Sequence, residues 1–503
     1  ASGWSGSPAI LFLDTLAKNA SQTRSSSVQL QNAKNYLGGV KLIAIETDSL
    51  SLSHENAALP GLVFENIYID VASGDGGEVS GSMRANRVND AREVAGSFTL
   101  SFDGWPGSEN LVVDLSASEL ETVGFSGYID GLPSFVSQIG VLSGHLGFQM
   151  KDNLLTHFNA DVAMKNGILG VPGIGRDANF TNADFVFAYN RERNNLTVSK
   201  AELKMVDKRE LSFAGTFGQI HAASSIVTGI IEAKNLPVQA LLDDWPTATD
   251  PHLKDEIKKR FTGGKFKMVK AEFMGLYESE TSALALSKLE LESRFSAVRA
   301  NISSGQYQRI VATIDGDLSM RVGKGGSVEQ VLVDLNMRDG SMLVAGYDRL
   351  EVPSGQLKSI IRGGNVELEH LALDMGSAGN FDLNGVLELS DACRKQIKFC
   401  FNQNFTGAVA DLKLNLSVPD MDAPLFVALW PNWTAPNTRD WVIKNIPQGR
   451  FRASELSFAA DLGAAKGVRK LYDVEGKVEV REAHLKWSEN ADMMTNVDAD
   501  LYW

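Results

Sequence analysis

The chain has 503 residues, 44% hydrophobic and 22% charged, which is ample material for a globular core. Its formal net charge is −14, and Lys and Arg are scattered, which argues against nucleic acid as a partner because phosphate-backbone binding rests on clustered cations. The densest basic run, Lys258-Lys259-Arg260, lies on one short helical pattern and reads as a solvated face.

Residues 1–38 open with a Gly/Ser-rich lead, an amphipathic helical pattern over 8–19 and a mobile polar loop over 21–27. The apolar run at 9–13 is far too short to span a bilayer. From Gly39 onward the hydrophobic period becomes two. Val40, Leu42 and Ala44 alternate with their neighbours, and Phe64, Ile67 and Ile69 follow with a slip. Phe98, Leu100 and Phe102 face one way while Ser97, Thr99 and Ser101 face the other. The pattern returns in Leu211, Phe213 and Phe217 around Gly215, in Val331, Val333, Leu335 and Met337, and in Phe381, Leu383, Leu387 and Leu389 around Gly385. Such alternation marks antiparallel strands with one apolar and one polar face. The pairs Asp75-Gly76, Asp315-Gly316 and Asp339-Gly340 are expected hairpin turns.

One stretch is written twice. Trp245-Pro246, Thr249, Pro251, Lys259, Gly264, Phe266 and Phe273 recur 185 residues later as Trp430-Pro431, Thr434, Pro436, Lys444, Gly449, Phe451 and Phe458. Each copy reads as a strand end, a helical turn, a Trp-Pro corner, a second helix and a new strand. In the first copy Asp250 is placed to cap that helix and Pro251 suits its first position. A fainter copy covers 111–150. A repeated unit of this kind implies an array in which each unit buries its face against neighbours.

The expected fold class is therefore mainly β: an elongated, curled antiparallel sheet, a trough of repeated modules with short helical corners near 120–140, 236–262 and 421–447. Roughly 25 to 30 strands are expected, more than a flat open sheet tolerates. The modules are expected at 39–225, 226–410 and 411–503, the last one cut short. The few helices cannot cover so many one-sided strands, so either the sheet folds onto itself or part of its apolar face stays open to a ligand. The chain starts without Met and stops at Leu501-Tyr502-Trp503 in a strand-like pattern. It reads as a piece of a longer protein, with any anchor upstream.

Nothing in the sequence assembles catalysis. The seven histidines, His54, His145, His157, His221, His252, His370 and His484, are dispersed. The glycines at 167, 170, 173 and 175 precede a strand pattern, where a dinucleotide loop requires a helix. No metal site, cofactor or enzymatic activity is expected. Cys393 and Cys400 sit on either side of a short turn, where they form a disulfide in an oxidising compartment or remain buried thiols in a reducing one.

The second corner, Leu429-Trp430-Pro431 through Thr438-Arg439-Asp440-Trp441-Val442, then Asn445, Gly449 and Phe451, resembles the AsmA-like family of Gram-negative bacteria, most closely its YhdP-type branch. The first corner departs from that signature, with Asp255-Glu256 in place of Asp440-Trp441. The resemblance implies a periplasmic body held in the inner membrane by an upstream helix. It also implies a bridge-like lipid-transfer function, with phospholipids passing along a β-groove between inner and outer membranes, with or without outer-membrane or periplasmic partner proteins. The rival reading is a chaperone or scaffold for outer-membrane protein assembly, as proposed for the related TamB-like branch. The expected groove lining is Phe98, Leu100, Phe102, Phe213, Phe217, Val333, Leu335, Phe381, Leu383 and Leu387.

Overall fold

A computed structural model describes residues 42–502 apart from 53–61, 75–77, 90, 105–108, 123–139, 153, 171–176, 244–250, 279–282, 305–307, 325–326, 345–348, 392, 394–408, 431–434, 463–469 and 489–491. The N-terminal segment 1–38, nearly all of the corner expected near 120–140 and the Asp75-Gly76 turn thus lie outside the described residues, as do Asp250 and both Trp-Pro prolines. The rest is mainly β, as the alternation implies. The described strands form one antiparallel sheet of 23 strands.

Two compact units divide the chain. One comprises Ala1–Lys234, Pro246–Ala248 and Glu272–Ser287, the other Asn235–Trp245, Thr249–Ala271 and Lys288–Trp503. We call them the N-terminal and C-terminal units. The module boundaries expected at 225/226 and 410/411 both fall inside strands, at equivalent points of the repeat.

The N-terminal unit is a meander in which each described strand pairs antiparallel with the next. Its strands are β1 (Leu42–Leu52), β2 (Leu62–Ser73), β3 (Val79–Val88), β4 (Val94–Gly104), β5 (Asn110–Glu121), β6 (Val141–Lys151), β7 (Leu154–Gly170), β8 (Asp177–Asn190), β9 (Asn195–Met205), β10 (Glu210–Gly218) and most of β11 (Ser224–Pro237), with parts of two later strands within Glu272–Ser287. The slip between Phe64 and Ile67 is a bulge. Register shifts between Glu65 and Tyr68, and Asn66 there takes a φ of 50°.

Helices follow. α1 (Val238–Asp243) and α2 (Pro251–Arg260) separate β11 from β12 (Phe261–Thr262) and β13 (Lys265–Glu278). The C-terminal meander then runs through β14 (Ala283–Ser304), β15 (Gln308–Val322), β16 (Val328–Val344), β17 (Leu350–Arg362), β18 (Asn365–Asp374), β19 (Gly379–Leu389) and β20 (Val409–Asp422). The second corner, α3 (Ala423–Leu429) and α4 (Pro436–Asn445), leads into β21 (Gln448–Asp461), β22 (Lys470–Leu485) and β23 (Met494–Tyr502).

The sequence repeat is a structural repeat. β11, α1, α2 and β20, α3, α4 each begin 185 residues apart, and α2 and α4 both start on proline. The second corner shows what its signature residues do. Asp422 caps α3 by accepting the Leu425 N–H at 2.8 Å. Arg439 of α4 donates to the carbonyls of Trp430 and Val427 at 3.1 and 3.4 Å, closing the open end of α3. Phe426 stacks on Phe451 with ring centroids 4.5 Å apart and meets Trp430 edge-on. These residues hold the corner together.

Gly264 closes the first corner with a φ of 75°, and a Cβ there would lie 2.5 Å from the Ala297 carbonyl oxygen and from Cα of Val298. Neighbouring Gly263 has a φ of 70° but open space around it. Gly264→Ala is therefore expected to cost more stability in urea titrations than Gly263→Ala. Both carry left-handed backbone strain of about 1–3 kcal/mol, and only Gly264 adds a clash. Equal losses would show that close approach is not what selects glycine there.

Two expected turns are not turns. Asp315-Gly316 lies inside β15 and Asp339-Gly340 inside β16. The Asp315 carboxylate accepts the Ala297 N–H at the β14 bulge (2.9 Å) and pairs with Arg338 (3.0 Å), so its polar side chain serves the ladder. The Ala297 N–H, and then Arg338, hold its carboxyl below the usual range. Gly316 leaves room for Leu335, whose Cδ2 would lie 2.9 Å from a Cβ.

Candidate functional site

Antiparallel register carries one side-chain position from strand to strand, so the faces can be followed residue by residue. In the N-terminal unit one row runs Ile45, Ile69, Met83, Leu100, Leu115, Leu146, Ala160, Phe187, Val198, Gly215, Gly229. Two residues along each strand a second runs Ile43, Val71, Gly81, Phe102, Val113, Phe148, Phe158, Tyr189, Leu196, Phe217, Val227. On the other side of the first lies a third, from Ala85 through Phe98, Ala117, Gly144, Val162, Phe185, Ala201 and Phe213 to Ile231. No charged residue enters any of them. The opposite face is polar, as in the series Ser82, Ser101, Asp114, Gly147, Asn159.

The C-terminal unit repeats the design. One row runs Phe295, Gly316, Leu335, Leu357, Leu371, Leu383, Leu416, Leu456, Gly476, and a parallel one Leu291, Met320, Val331, Ile361, Val366, Leu387, Leu412, Ala460, Leu471. Between them Val333 pairs with Leu318 and with Ser359, and Leu318 in turn with Ser293, so that this series carries two buried hydroxyls. Its reverse face carries charge pairs, Arg294 with Asp317 at 2.7 Å and Lys358 with Asp334 at 3.4 Å, and places His370 3.8 Å from Asp382.

Every expected lining residue falls on these apolar faces. Phe98, Leu100, Phe102, Phe213 and Phe217 share one face of the N-terminal unit; Val333, Leu335, Phe381, Leu383 and Leu387 share one face of the C-terminal unit. All ten are half-buried. Ile45 and Ile231, at opposite ends of the N-terminal face, are 48% and 45% exposed.

The contrast with covered sheet is sharp within the C-terminal unit. Where α3 lies against β20 and β21, Leu425, Ala453, Val418 and Phe451 are 0–1% exposed and form the largest core cluster. The long Leu335–Leu357–Leu371–Leu383 run stays half-buried. A side chain walled only by its sheet neighbours keeps its outward surface accessible, whereas a second layer removes it.

One sequence assignment is corrected. On β1 the apolar face carries Ile43 and Ile45, while Leu42 is 63% exposed and Ala44 pairs with Asp70 on the polar face. Residues 42–45 are apolar in both phases, and only pairing with β2 selects one. The sequence also passed over Leu115, Leu146, Phe187 and Leu357, whose alternation is present but shorter or mixed with Ala and Gly.

Cys393 is buried and disulfide-bonded, and Cys400, the chain's other cysteine, lies outside the described residues. With both thiols engaged, iodoacetamide under non-reducing denaturation is expected to add nothing to the intact mass; two carbamidomethyl groups would contradict the pairing. Among the described residues no group of His, Cys, Asp and Glu could hold a metal ion, and no helix is long and apolar enough to cross a membrane. Comparison with known proteins gives no matching family model, curated relative or solved structure.

Proposed function

We propose that this chain is a segment of a bridge-like lipid-transfer protein, whose uncovered apolar sheet faces form a groove for phospholipid acyl chains while head groups stay in water. The observation that carries the reading is the row from Ile45 to Gly229, apolar at every strand crossing and half-buried or exposed at all of them but Ala160 and Gly229. Exposing an acyl methylene to water costs about 0.8 kcal/mol, so a sixteen-carbon chain faces on the order of 12 kcal/mol in solution. A continuous apolar floor lowers that barrier without catalytic chemistry, and flux then follows lipid supply. The polar reverse face, with its cross-strand charge pairs, keeps the other side of the sheet in solvent. The corner signature's likeness to the AsmA-like family supports a periplasmic setting, an upstream inner-membrane anchor and passage between inner and outer membranes.

Native mass spectrometry of the purified chain tests the reading. Adducts with diacyl phospholipid masses are expected, several per chain and removable by collisional activation. A lipid-free spectrum from protein purified without detergent and incubated with phospholipid vesicles would contradict it. Co-purifying outer-membrane barrel precursors in place of lipid would favour an escort role.

A further inference from the structure

The three apolar rows of the N-terminal unit contain one hydroxyl. Tyr189 stands in the row from Ile43 to Val227, next to the last residue of β8, and is 3% exposed. Its oxygen lies 2.7 Å from Nε2 of His221, and the charge of Arg191 acts on it from the adjoining turn. Burial pushes the phenol's pKa up, the Arg191 charge opposing, so the hydroxyl keeps its proton.

Both partners are exposed and sit on turns at the rim of the face. Arg191 opens the turn between β8 and β9, and His221 lies in the turn between β10 and β11. Asn194 laces the turns together: its carbonyl accepts the Gln219 N–H at 2.7 Å, and its side-chain oxygen accepts the His221 N–H at 3.2 Å. Arg193 and Glu192 on the first turn offset each other in charge. Elsewhere in this unit Lys200 faces Asp184 and Arg209 faces Asp207, whereas Arg191 makes no ion pair with a carboxylate among the described residues.

From this arrangement we infer that Arg191 and His221, on two turns joined through Asn194 and with His221 held by Tyr189, form a subsite for the phosphate of a lipid head group whose acyl chains lie along the adjoining apolar row. The guanidinium offers parallel N–H donors that match two phosphate oxygens, and the imidazole stands beside it over the same rim. Tyr189 reaches His221 from within the floor, so the rim and the apolar row are held in fixed relation. Inorganic phosphate shares the anion chemistry but gains nothing from the apolar row. The subsite rests on the lipid-carrying reading proposed above.

Calorimetric titration of the whole chain with dihexanoyl phosphatidylglycerol, dihexanoylglycerol and inorganic phosphate tests it. The phospholipid is expected to bind roughly tenfold tighter than the diacylglycerol, and inorganic phosphate weakest. In Arg191→Gln the phospholipid advantage should vanish while diacylglycerol binding and the melting temperature hold. Tyr189→Phe should lose part of the advantage. An advantage unchanged in Arg191→Gln, or equal loss of both lipids, would overturn the subsite. So would inorganic phosphate binding as tightly as the phospholipid, since the anion would then owe nothing to the groove. If the parent binds both lipids equally, the subsite falls and the groove stands; if it binds neither, the lipid-carrying reading itself falls.

Discussion

Truncating Phe451 to alanine is expected to destabilise the C-terminal unit by about 3–5 kcal/mol, the usual cost of removing a sealed aromatic. Phe451 is 1% exposed, stacks on Phe426 and sits in the cluster that joins α3 to β20, β21 and β22. Its repeat mate Phe266 is half-buried and meets Phe295 edge-on at 6.2 Å, so Phe266→Ala should cost clearly less. Hydrogen exchange over β20–β22 reads the first effect locally, which matters because a chain of two units need not unfold in one step. Equal losses at the two sites would mean that the corners are covered alike and that the contrast between sealed and open sheet is not real.

Leu335→Asp should do the opposite: little to folding and much to lipid. Leu335 is half-buried in the row from Phe295 to Gly476, flanked by Gly316 and Leu357. In an open groove the new carboxylate reaches water when no lipid is present, so the melting temperature should fall by only a few degrees. Once acyl chains occupy the row, the same charge has to be desolvated among hydrocarbon, at a cost of several kcal/mol if it stays ionised. Lipid adducts in the C-terminal unit should therefore drop about tenfold or more. Global unfolding of Leu335→Asp, with no lipid adduct on the parent, would assign Leu335 to an ordinary core.

The strands were legible wherever one phase is apolar and the other polar. Phe98, Leu100 and Phe102 against Ser97, Thr99 and Ser101 leave one orientation, and the structure adopts it. β1 was not legible, because Leu42 through Ile45 are apolar in both phases and the register to β2 decides. Bulges misled in the same way. Asp315-Gly316 has turn chemistry, but its carboxylate answers an N–H from another strand, which no local window contains. The corners were legible because they are written twice: identities at a constant offset fixed the helices where propensity alone would have been vague. The Tyr189 cluster was invisible. Its partner His221 is 32 residues distant, brought beside it by the intervening strands. Glycine placement carried a little of that long-range information, since Gly215 pairs with Gly229 beneath the Phe213 ring.

The central claim, that one face of this sheet carries acyl chains, is tested most directly by a photo-crosslinking amino acid placed in turn at Leu100, Leu115 and Leu146, and at Thr99, Ser116 and His145 on the reverse face of the same strands. Irradiation in phospholipid-loaded protein is expected to attach lipid at the first three positions and not at the second three. Equal labelling of both faces, or none at Leu100, Leu115 and Leu146, would contradict the account.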